Sequence, residues 1–165
     1  IMSVAICKFV GARNIVITDT NNFRLNLAKN LGATKAINVK NNSIIDCYKE
    51  LNITNGFDIG LEMSGNSNAF NDLIKNMYNG GRVALLGLLP NNTQINWDDV
   101  IFKGLNIKGI YGREMFETWY KMTQMIRSGL DISKVLTHKF LIDDYKSAFD
   151  VIQSGKCGKV VLLWE

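Results

Sequence analysis

A carboxylate at the end of a predicted strand gives the clearest chemical signal in this sequence. The segment from Asn14 to Asp19 is rich in β-branched residues and is predicted to form a strand that stops at Asp19. In a dinucleotide-binding βαβ unit, an acidic residue at the end of the second strand accepts hydrogen bonds from the adenosine ribose. Such a carboxylate also repels a 2′-phosphate, which favours NAD over NADP. The alternative is that Asp19 caps the helix predicted from Asn22.

A glycine near the end of a later predicted strand is the second candidate. Gly87 belongs to the apolar segment that runs from Arg82 to Leu88. Without a side chain, the backbone can approach a flat ring closely, so groups of Leu86 and Leu88 would be able to contact a nicotinamide or its ribose. The alternative is that Gly87 only forms a tight turn ahead of Pro90.

Three weaker candidates have simpler explanations beside them. Arg24 lies one turn into the helix after Asp19 and either contacts the adenosine or is a surface arginine. Ser64-Gly65 follows a predicted strand and has the same ambiguity as Gly87. His138, which is the one histidine, lies in a predicted strand with no nearby partner of the kind that a general base needs. We therefore interpret His138 as a packed or surface residue and assign no catalytic residue.

The cysteines do not form a metal or disulfide pattern. Cys7, Cys47 and Cys157 are far apart and odd in number, which matches neither a disulfide framework nor a zinc-binding spacing. We therefore predict no metal site in this chain. Three cysteines without such a framework fit a reducing cytoplasm, and Cys7 is expected to pack inside an apolar helix.

The predicted elements alternate between strands and helices. The predicted strands are Asn14–Asp19, Ala36–Val39, Phe57–Met63, Arg82–Leu88 and Ile107–Tyr111, and the predicted helices are Ile1–Val10, Asn22–Leu31, 43–51 (capped by Ser43), 66–78 (closed by Asn79-Gly80-Gly81) and Glu114–Arg127. This alternation indicates a Rossmann-like, doubly wound parallel sheet with helices on both faces. Right-handed crossovers place the carboxyl ends of all strands at one edge, where we expect Asp19, Gly65, Gly87 and Ile110-Tyr111 to converge.

The beginning and the end of the chain both depart from a complete unit of this kind. The glycine-rich phosphate loop precedes the acidic residue by about 20 residues, so we expect the chain to begin inside the first helix and to lack the first strand. We predict a truncated NAD-binding domain over residues 1–130 and a tail over residues 131–165. The tail is predicted as strand Leu136–Leu141, a helix capped by Asp143 and strand Lys159–Trp164. The pattern alone leaves open whether this tail extends the sheet or docks on another domain.

Composition excludes several classes of protein. The net charge is +4, but the basic residues are scattered and form no stripe of the kind that binds nucleic acid. No apolar run approaches the roughly 18 residues of a membrane span. The apolar and aromatic stripe from Met115 to Met125 has the spacing of a helix that faces a core, so we expect it to pack inside the protein.

Several strings of residues resemble the zinc-dependent medium-chain dehydrogenases. These strings are Phe9–Asp19, Phe23–Leu25, Leu31–Thr34, Gly60–Gly65, Gly80–Leu88, Ile101–Leu105, Lys108–Tyr120, Thr137–Phe140 and Ser154–Leu162. Together they span the whole chain. The long string that ends at Tyr120 is similar to the branch that oxidises L-threonine, and the chain resembles the C-terminal half of such an enzyme.

The resemblance implies a function and a set of contacts. It implies oxidation of L-threonine to 2-amino-3-oxobutanoate with hydride transfer to NAD. Nucleotide contacts would come from Asp19, Arg24, Leu86–Leu88, Ile110 and Tyr111. It also implies that the tail returns to a catalytic domain and that the whole enzyme is a homotetramer paired through sheet edges. The zinc ligands and proton-relay residues of the family belong to the other half, so we expect the chain alone to be inactive.

Other functions stay open at this point. The parent enzyme would act on another alcohol or polyol if the resemblance misleads about the substrate. The chain would instead be a non-catalytic module if its role is to pair through the Lys108–Tyr111 edge. A Rossmann-like fold also binds S-adenosylmethionine in other proteins, so the fold by itself does not identify the ligand.

Overall fold

The predicted alternation of strands and helices is present along the chain. A computed structural model describes all 165 residues. The elements, in chain order, are α1 (Met2–Phe9), β1 (Val16–Asp19), α2 (Asn22–Asn30), β2 (Lys35–Asn38), α3 (Tyr48–Leu51), β3 (Phe57–Glu62), α4 (Ser67–Lys75), β4 (Met77–Leu85), α5 (Trp97–Phe102), β5 (Asn106–Gly109), α6 (Glu117–Arg127), β6 (Leu136–Leu141), α7 (Tyr145–Ser154) and β7 (Lys159–Leu163). None of the helices is both long enough and apolar enough to cross a membrane.

The chain divides into two units that are described separately. Unit 1 is made of Ile1–Asp46 and Glu117–Glu165, and unit 2 is made of Cys47–Phe116. Unit 1 holds the parallel pair β1–β2 and the parallel pair β6–β7. Unit 2 holds a parallel sheet of order β3-β4-β5. The boundary predicted at residue 130 assigns residues 1–130 and residues 131–165 to two different domains of a longer enzyme. It stays a prediction.

The strand connectivity supports the predicted fold class. A doubly wound sheet of order 3-2-1-4-5-6 that lacks its first strand leaves a pair and a triple of parallel strands. The pair β1–β2 and the triple β3-β4-β5 have this connectivity. The prediction of a Rossmann-like α/β fold built from parallel strands is therefore confirmed.

A cluster of apolar side chains forms the interior of unit 1. It contains Val4, Ala5, Ile15, Leu27, Ala28, Leu31, Leu130 and Val135. Ala28 of α2 is fully buried and Val135 of the C-terminal segment is 1% exposed. Residues after position 130 therefore help to fix α2, whose first turn directly follows Asp19.

The N-terminus of α2 is capped by Asn21, and this corrects one of the sequence alternatives. The Oδ1 atom of Asn21 accepts hydrogen bonds from the backbone N–H groups of Phe23 (2.9 Å) and Arg24 (3.2 Å). Asp19 is therefore not the cap. The Nδ2 atom of Asn21 donates to the carbonyl oxygen of Gly155, 134 residues later, at 2.8 Å. One side chain thus caps α2 and ties its first turn to the end of α7.

This double role predicts a stability difference between two matched asparagines. Asn66 caps α4 in the same way, accepting from Asn68 and Ala69. Replacing Asn66 by alanine should cost about 1 kcal/mol of unfolding free energy. Replacing Asn21 by alanine should cost about 1–2 kcal/mol more, because the bond to Gly155 is lost as well. Urea unfolding of the two variants measures the difference, and equal losses would show that the Gly155 bond contributes nothing.

The interior of unit 2 lies on one face of its sheet. Phe70, Ile74, Met77 and Val83 are almost fully buried, and apolar side chains of β3, β5 and α5 pack around them. Phe70 and Ile74 lie four residues apart, which places both on the same side of α4. The helix predicted to begin at Asn66 is thus present and covers this face.

The predicted end of that helix is wrong. The sequence pattern extended the helix to Tyr78, but α4 ends at Lys75 and β4 begins at Met77. The Nζ atom of Lys103 donates to the carbonyl oxygens of Ile74 (3.0 Å) and Lys75 (2.6 Å), which closes the helix early. The Asn79-Gly80-Gly81 segment then forms an irregularity within β4, and the N–H of Gly80 donates to the carbonyl oxygen of Lys103 at 2.6 Å.

Three further expectations need correction. Asp143 does not cap α7, since it lies in a short 3-10 turn and the cap position is Asp144 without a side-chain bond. The helix predicted from Glu114 begins at Glu117. Five residues of the predicted apolar stripe are exposed rather than packed, namely Met115, Phe116, Trp119, Tyr120 and Met122. Its last residue, Met125, packs against the unit 1 interior.

Candidate functional site

Asp19 stands at the carboxyl end of β1 in a turn that fixes its side chain. Its Oδ1 atom accepts hydrogen bonds from the backbone N–H groups of Thr20 (2.7 Å) and Asn21 (2.9 Å). Both bonds go to the same oxygen, so Oδ2 takes no part in this turn. The side chain is half-buried, and a carboxylate held in this way presents an acceptor of fixed position.

Arg24 follows in the first turn of α2. Its backbone N–H is held by Asn21 Oδ1 at 3.2 Å, and its side chain is exposed. At the end of the neighbouring strand β2, Asn38 is the register partner of Asp19 and donates through Nδ2 to Asn22 Oδ1 at 2.6 Å. Unit 1 therefore gathers one carboxylate, one exposed guanidinium and a set of amides around the ends of β1 and β2.

The strand ends of unit 2 also meet, as the parallel topology predicts. The backbone N–H groups of Leu86 (2.9 Å) and Gly87 (3.2 Å) donate to the carbonyl oxygen of Glu62 at the end of β3. The N–H of Ile110 donates to the carbonyl oxygen of Leu85 at 2.8 Å. Side chains at this edge are open to solvent, since Leu88 is 94% exposed and Tyr111 is fully exposed. This edge carries the second set of predicted residues.

Gly87 is a glycine because of close packing rather than turn geometry. Its φ is not positive, so a tight turn that only glycine adopts is not the reason for its presence. A Cβ at Gly87 would overlap the Glu62 carboxylate and the backbone nitrogen of Gly65. Gly65 does adopt a positive φ of 69°, and a Cβ there would lie 2.7 Å from the carbonyl oxygen of Leu88.

The remaining titratable candidates have structural partners. His138 Nδ1 lies 2.9 Å from Thr137 Oγ1, and its ring stacks on Phe140 with centroids 6.3 Å apart. Burial raises the pKa of the Cys7 thiol, which packs against the unit 1 interior and stays protonated. Burial is also the main cause that raises the pKa of Tyr48, whose hydroxyl donates to Asn76 Oδ1 at 2.8 Å.

No group of three or more histidine, cysteine, aspartate or glutamate side chains is placed to hold a metal ion. The three cysteines, Cys7, Cys47 and Cys157, are all free thiols.

Comparison with known proteins decides the family. The family model described as zinc-binding dehydrogenase matches residues 1–128. The chain belongs to the zinc-binding dehydrogenase family. It is 56% identical over 165 residues to L-threonine 3-dehydrogenase of Aliivibrio fischeri, covering all of this chain and 48% of that protein. It is 58% identical over 164 residues to the protein of the same name from Burkholderia thailandensis.

The chain spans about half the length of the curated relatives it matches, at 48%. The fold is shared with a more distant dehydrogenase of known structure. The crystal structure of 2R,3R-butanediol dehydrogenase from Bacillus subtilis superposes with a TM-score of 0.82 at 20% identity, covering 96% of this chain and 46% of that one. At that identity the likeness concerns the fold alone.

The structure of this zinc-binding dehydrogenase chain groups the predicted residues in two places. Asp19 and Arg24 share one turn of unit 1, and Leu86, Gly87, Leu88 and Ile110 share one strand edge of unit 2. Sequence reasoning missed Asn21 and Glu62. Asn21 carried a signal, an asparagine directly before a predicted helix. Glu62 carried one too, a carboxylate within an otherwise apolar strand.

Proposed function

We propose that this chain is the NAD-binding part of an enzyme that oxidises the C3 hydroxyl of L-threonine. The reaction converts L-threonine and NAD⁺ into 2-amino-3-oxobutanoate, NADH and a proton. The observation that carries the substrate is the 56–58% identity to L-threonine 3-dehydrogenases over essentially the whole chain. The activity belongs to the complete enzyme, of which this chain supplies the cofactor-holding part.

The turn at Asp19 supports binding of the adenosine ribose. One oxygen of the carboxylate is held by two backbone N–H groups, and the other is left to accept ribose hydroxyls. A fixed anion at this position also opposes a 2′-phosphate, which supports NAD rather than NADP. We assign Arg24 to the same adenosine end, since its exposed side chain leaves from the helix turn that Asn21 caps.

The unit 2 strand edge supports the nicotinamide end of the cofactor. We assign the backbone of Leu86, Gly87 and Leu88, with Ile110 and Tyr111, to the nicotinamide and its ribose. The backbone N–H groups of Leu86 and Gly87 bond to Glu62 and that of Ile110 bonds to Leu85, which holds these three positions in place. When bound, NAD supplies the acceptor for the hydride that leaves C3 of threonine. The role of these residues is to hold and orient the ring.

Zinc would act in the parent enzyme as a Lewis acid on the substrate alkoxide. No cluster in this chain is placed to hold it, so we assign its ligands to the other half of the enzyme. We also propose that residues 131–165 return to the catalytic domain. Free thiols at all three cysteines support a reducing cytoplasm as the compartment.

The edge of the unit 2 sheet supports self-association of the parent enzyme. β5 is the last strand of the order β3-β4-β5, so one side of it is unpaired within this sheet. An unpaired strand edge is a template for pairing with a second copy. We propose that two copies pair through this edge in a homotetrameric parent.

The decisive experiment is a comparison of cofactors, followed by a comparison of substrates. The chain is titrated with NADH and separately with NADPH, and energy transfer from its three tryptophans to the reduced nicotinamide is followed. Saturable NADH binding that NADPH does not match is expected. A folded chain that binds neither, or both equally, would overturn the NAD assignment. In the parent enzyme, faster oxidation of sorbitol than of threonine would overturn the substrate.

A further inference from the structure

Glu62 is a buried carboxylate to which the proposed function gives no role. It is the last residue of β3 and is only 3% exposed. Burying an anion is costly unless hydrogen bonds replace the lost water. No lysine or arginine forms an ion pair with it, so the hydrogen bonds around it must perform that task.

The hydrogen bonds come from the turn that follows β3. Oε1 accepts from the backbone N–H of Ser64 (2.8 Å), the Ser64 hydroxyl (2.5 Å) and the backbone N–H of Gly65 (3.0 Å). Oε2 accepts a longer bond from the same Gly65 N–H at 3.3 Å. These bonds hold Ser64 and Gly65 against the Glu62 carboxylate at the end of β3.

The same residue also holds the end of β4. Its backbone carbonyl oxygen accepts from the N–H groups of Leu86 and Gly87. A Cβ on Gly87 would overlap the Oε2 atom of Glu62, so the Gly87 backbone packs directly on the carboxylate. Gly65 in turn lies against the backbone of Leu88. The ends of β3 and β4 are therefore both held in position by Glu62.

We infer that Glu62 is a positioning residue, which fixes the backbone of Leu86, Gly87 and Leu88 for contact with the nicotinamide half of the cofactor. The inference rests on the proposed function, since it assumes that this edge receives the nicotinamide. Glu62 touches neither cofactor nor substrate in this role. It acts through Gly65 and Gly87, which transmit the position of the carboxylate to the adjoining backbone.

The substitution Glu62→Gln keeps the size of the side chain but changes its charge and its hydrogen-bonding groups. Glutamine has nearly the same shape but carries an NH₂ group with two N–H donors in place of one acceptor oxygen. With its oxygen in the Oε1 position, its NH₂ group would replace Oε2, so that two donors, this NH₂ and the Gly65 N–H, would face each other beside the packed Gly87 backbone. The turn and the Gly87 backbone must then move apart. Asp58→Asn removes an exposed carboxylate from the same strand and is the matched control.

The test measures binding of two ligands by the wild type and both variants. ADP-ribose lacks the nicotinamide and probes the adenosine end, whereas NADH probes both ends. We expect Glu62→Gln to raise the Kd for NADH by about tenfold while the Kd for ADP-ribose changes less than about twofold. Asp58→Asn should leave both values unchanged. A change in thermal stability alone would not alter the ratio of the two constants.

Three results would overturn the inference. Unchanged Kd values for both ligands in Glu62→Gln would show that the carboxylate does not position the nicotinamide edge, and an equal rise of both Kd values would show a general structural role. If Glu62→Gln does not fold, Ser64→Ala removes one bond to the same oxygen, and unchanged Kd values there have the same meaning. A wild type that binds neither ligand would instead overturn the proposed function, so the two failures are distinguishable.

Discussion

Replacement of Asp19 by alanine is expected to lower the affinity for NADH by at least about tenfold and to abolish the preference for NADH over NADPH. A hydrogen bond to a charged acceptor contributes about 1.5–3 kcal/mol, and about 1.4 kcal/mol corresponds to tenfold in Kd. Because the carboxylate no longer opposes the 2′-phosphate, NADPH binding should stay constant or improve. Titration of both cofactors against wild type and variant measures the two effects together.

The substitution Asp19→Asn is the control for local structure. An asparagine retains an Oδ1 acceptor for the N–H groups of Thr20 and Asn21, so the turn is preserved. It removes the negative charge, and the discrimination against NADPH should fall as it does in the alanine variant. Unchanged discrimination in both variants would show that Asp19 does not face the ribose, whatever the affinity for NADH.

Replacement of Phe70 by alanine is expected to destabilise unit 2 by about 3–5 kcal/mol. The ring is 1% exposed and lies at the centre of the cluster with Ile74, Met77 and Val83. Its removal leaves a cavity between α4 and the sheet, and close-packed neighbours fill such a cavity only in part. This is a large fraction of the roughly 5–15 kcal/mol that stabilises a typical domain. Urea unfolding, followed through hydrogen exchange of the β4 amides, measures the loss.

Phe102 provides the comparison within the same unit. Its side chain, on α5, is 83% exposed. The substitution Phe102→Ala should therefore change the unfolding free energy by no more than about 0.5 kcal/mol. Equal losses for Phe70 and Phe102 would contradict the described packing of α4 on the sheet.

Most elements were predictable because their signals are local. The β-branched run before Asp19, the apolar residues of α4 and the alternation of strands with helices all lie within short windows. The segment from Asn76 to Gly81 was not predictable in this way. Its helix ends because Lys103, about 28 residues away along the chain, closes the last carbonyls, and no window around Tyr78 contains that contact.

The candidate site shows the same division between local and distant causes. Asp19 was recognisable from its place at a strand end, and its hydrogen bonds are to the next two residues. Glu62 also bonds to a local turn, but its second role depends on Gly87, which only the pairing of β3 with β4 brings near. The prediction that the apolar stripe before Met125 packs inside the protein was wrong for a related reason. Periodicity shows that a helix face is apolar, but it does not show which element covers that face.

The composition of unit 1 has a consequence for how the protein is made. A chain leaves the ribosome from its N-terminus, so all of unit 2 is synthesised before the second stretch of unit 1. Leu130 and Val135 pack in the interior against α2. The side chain of Asn21 forms its hydrogen bond to Gly155 only after Gly155 has been synthesised. The strand pair beside Asp19 is therefore synthesised before unit 2, and the interior that supports it is completed after unit 2. The helix that follows Asp19 therefore reaches its final packing only after residues 130–155 have been synthesised.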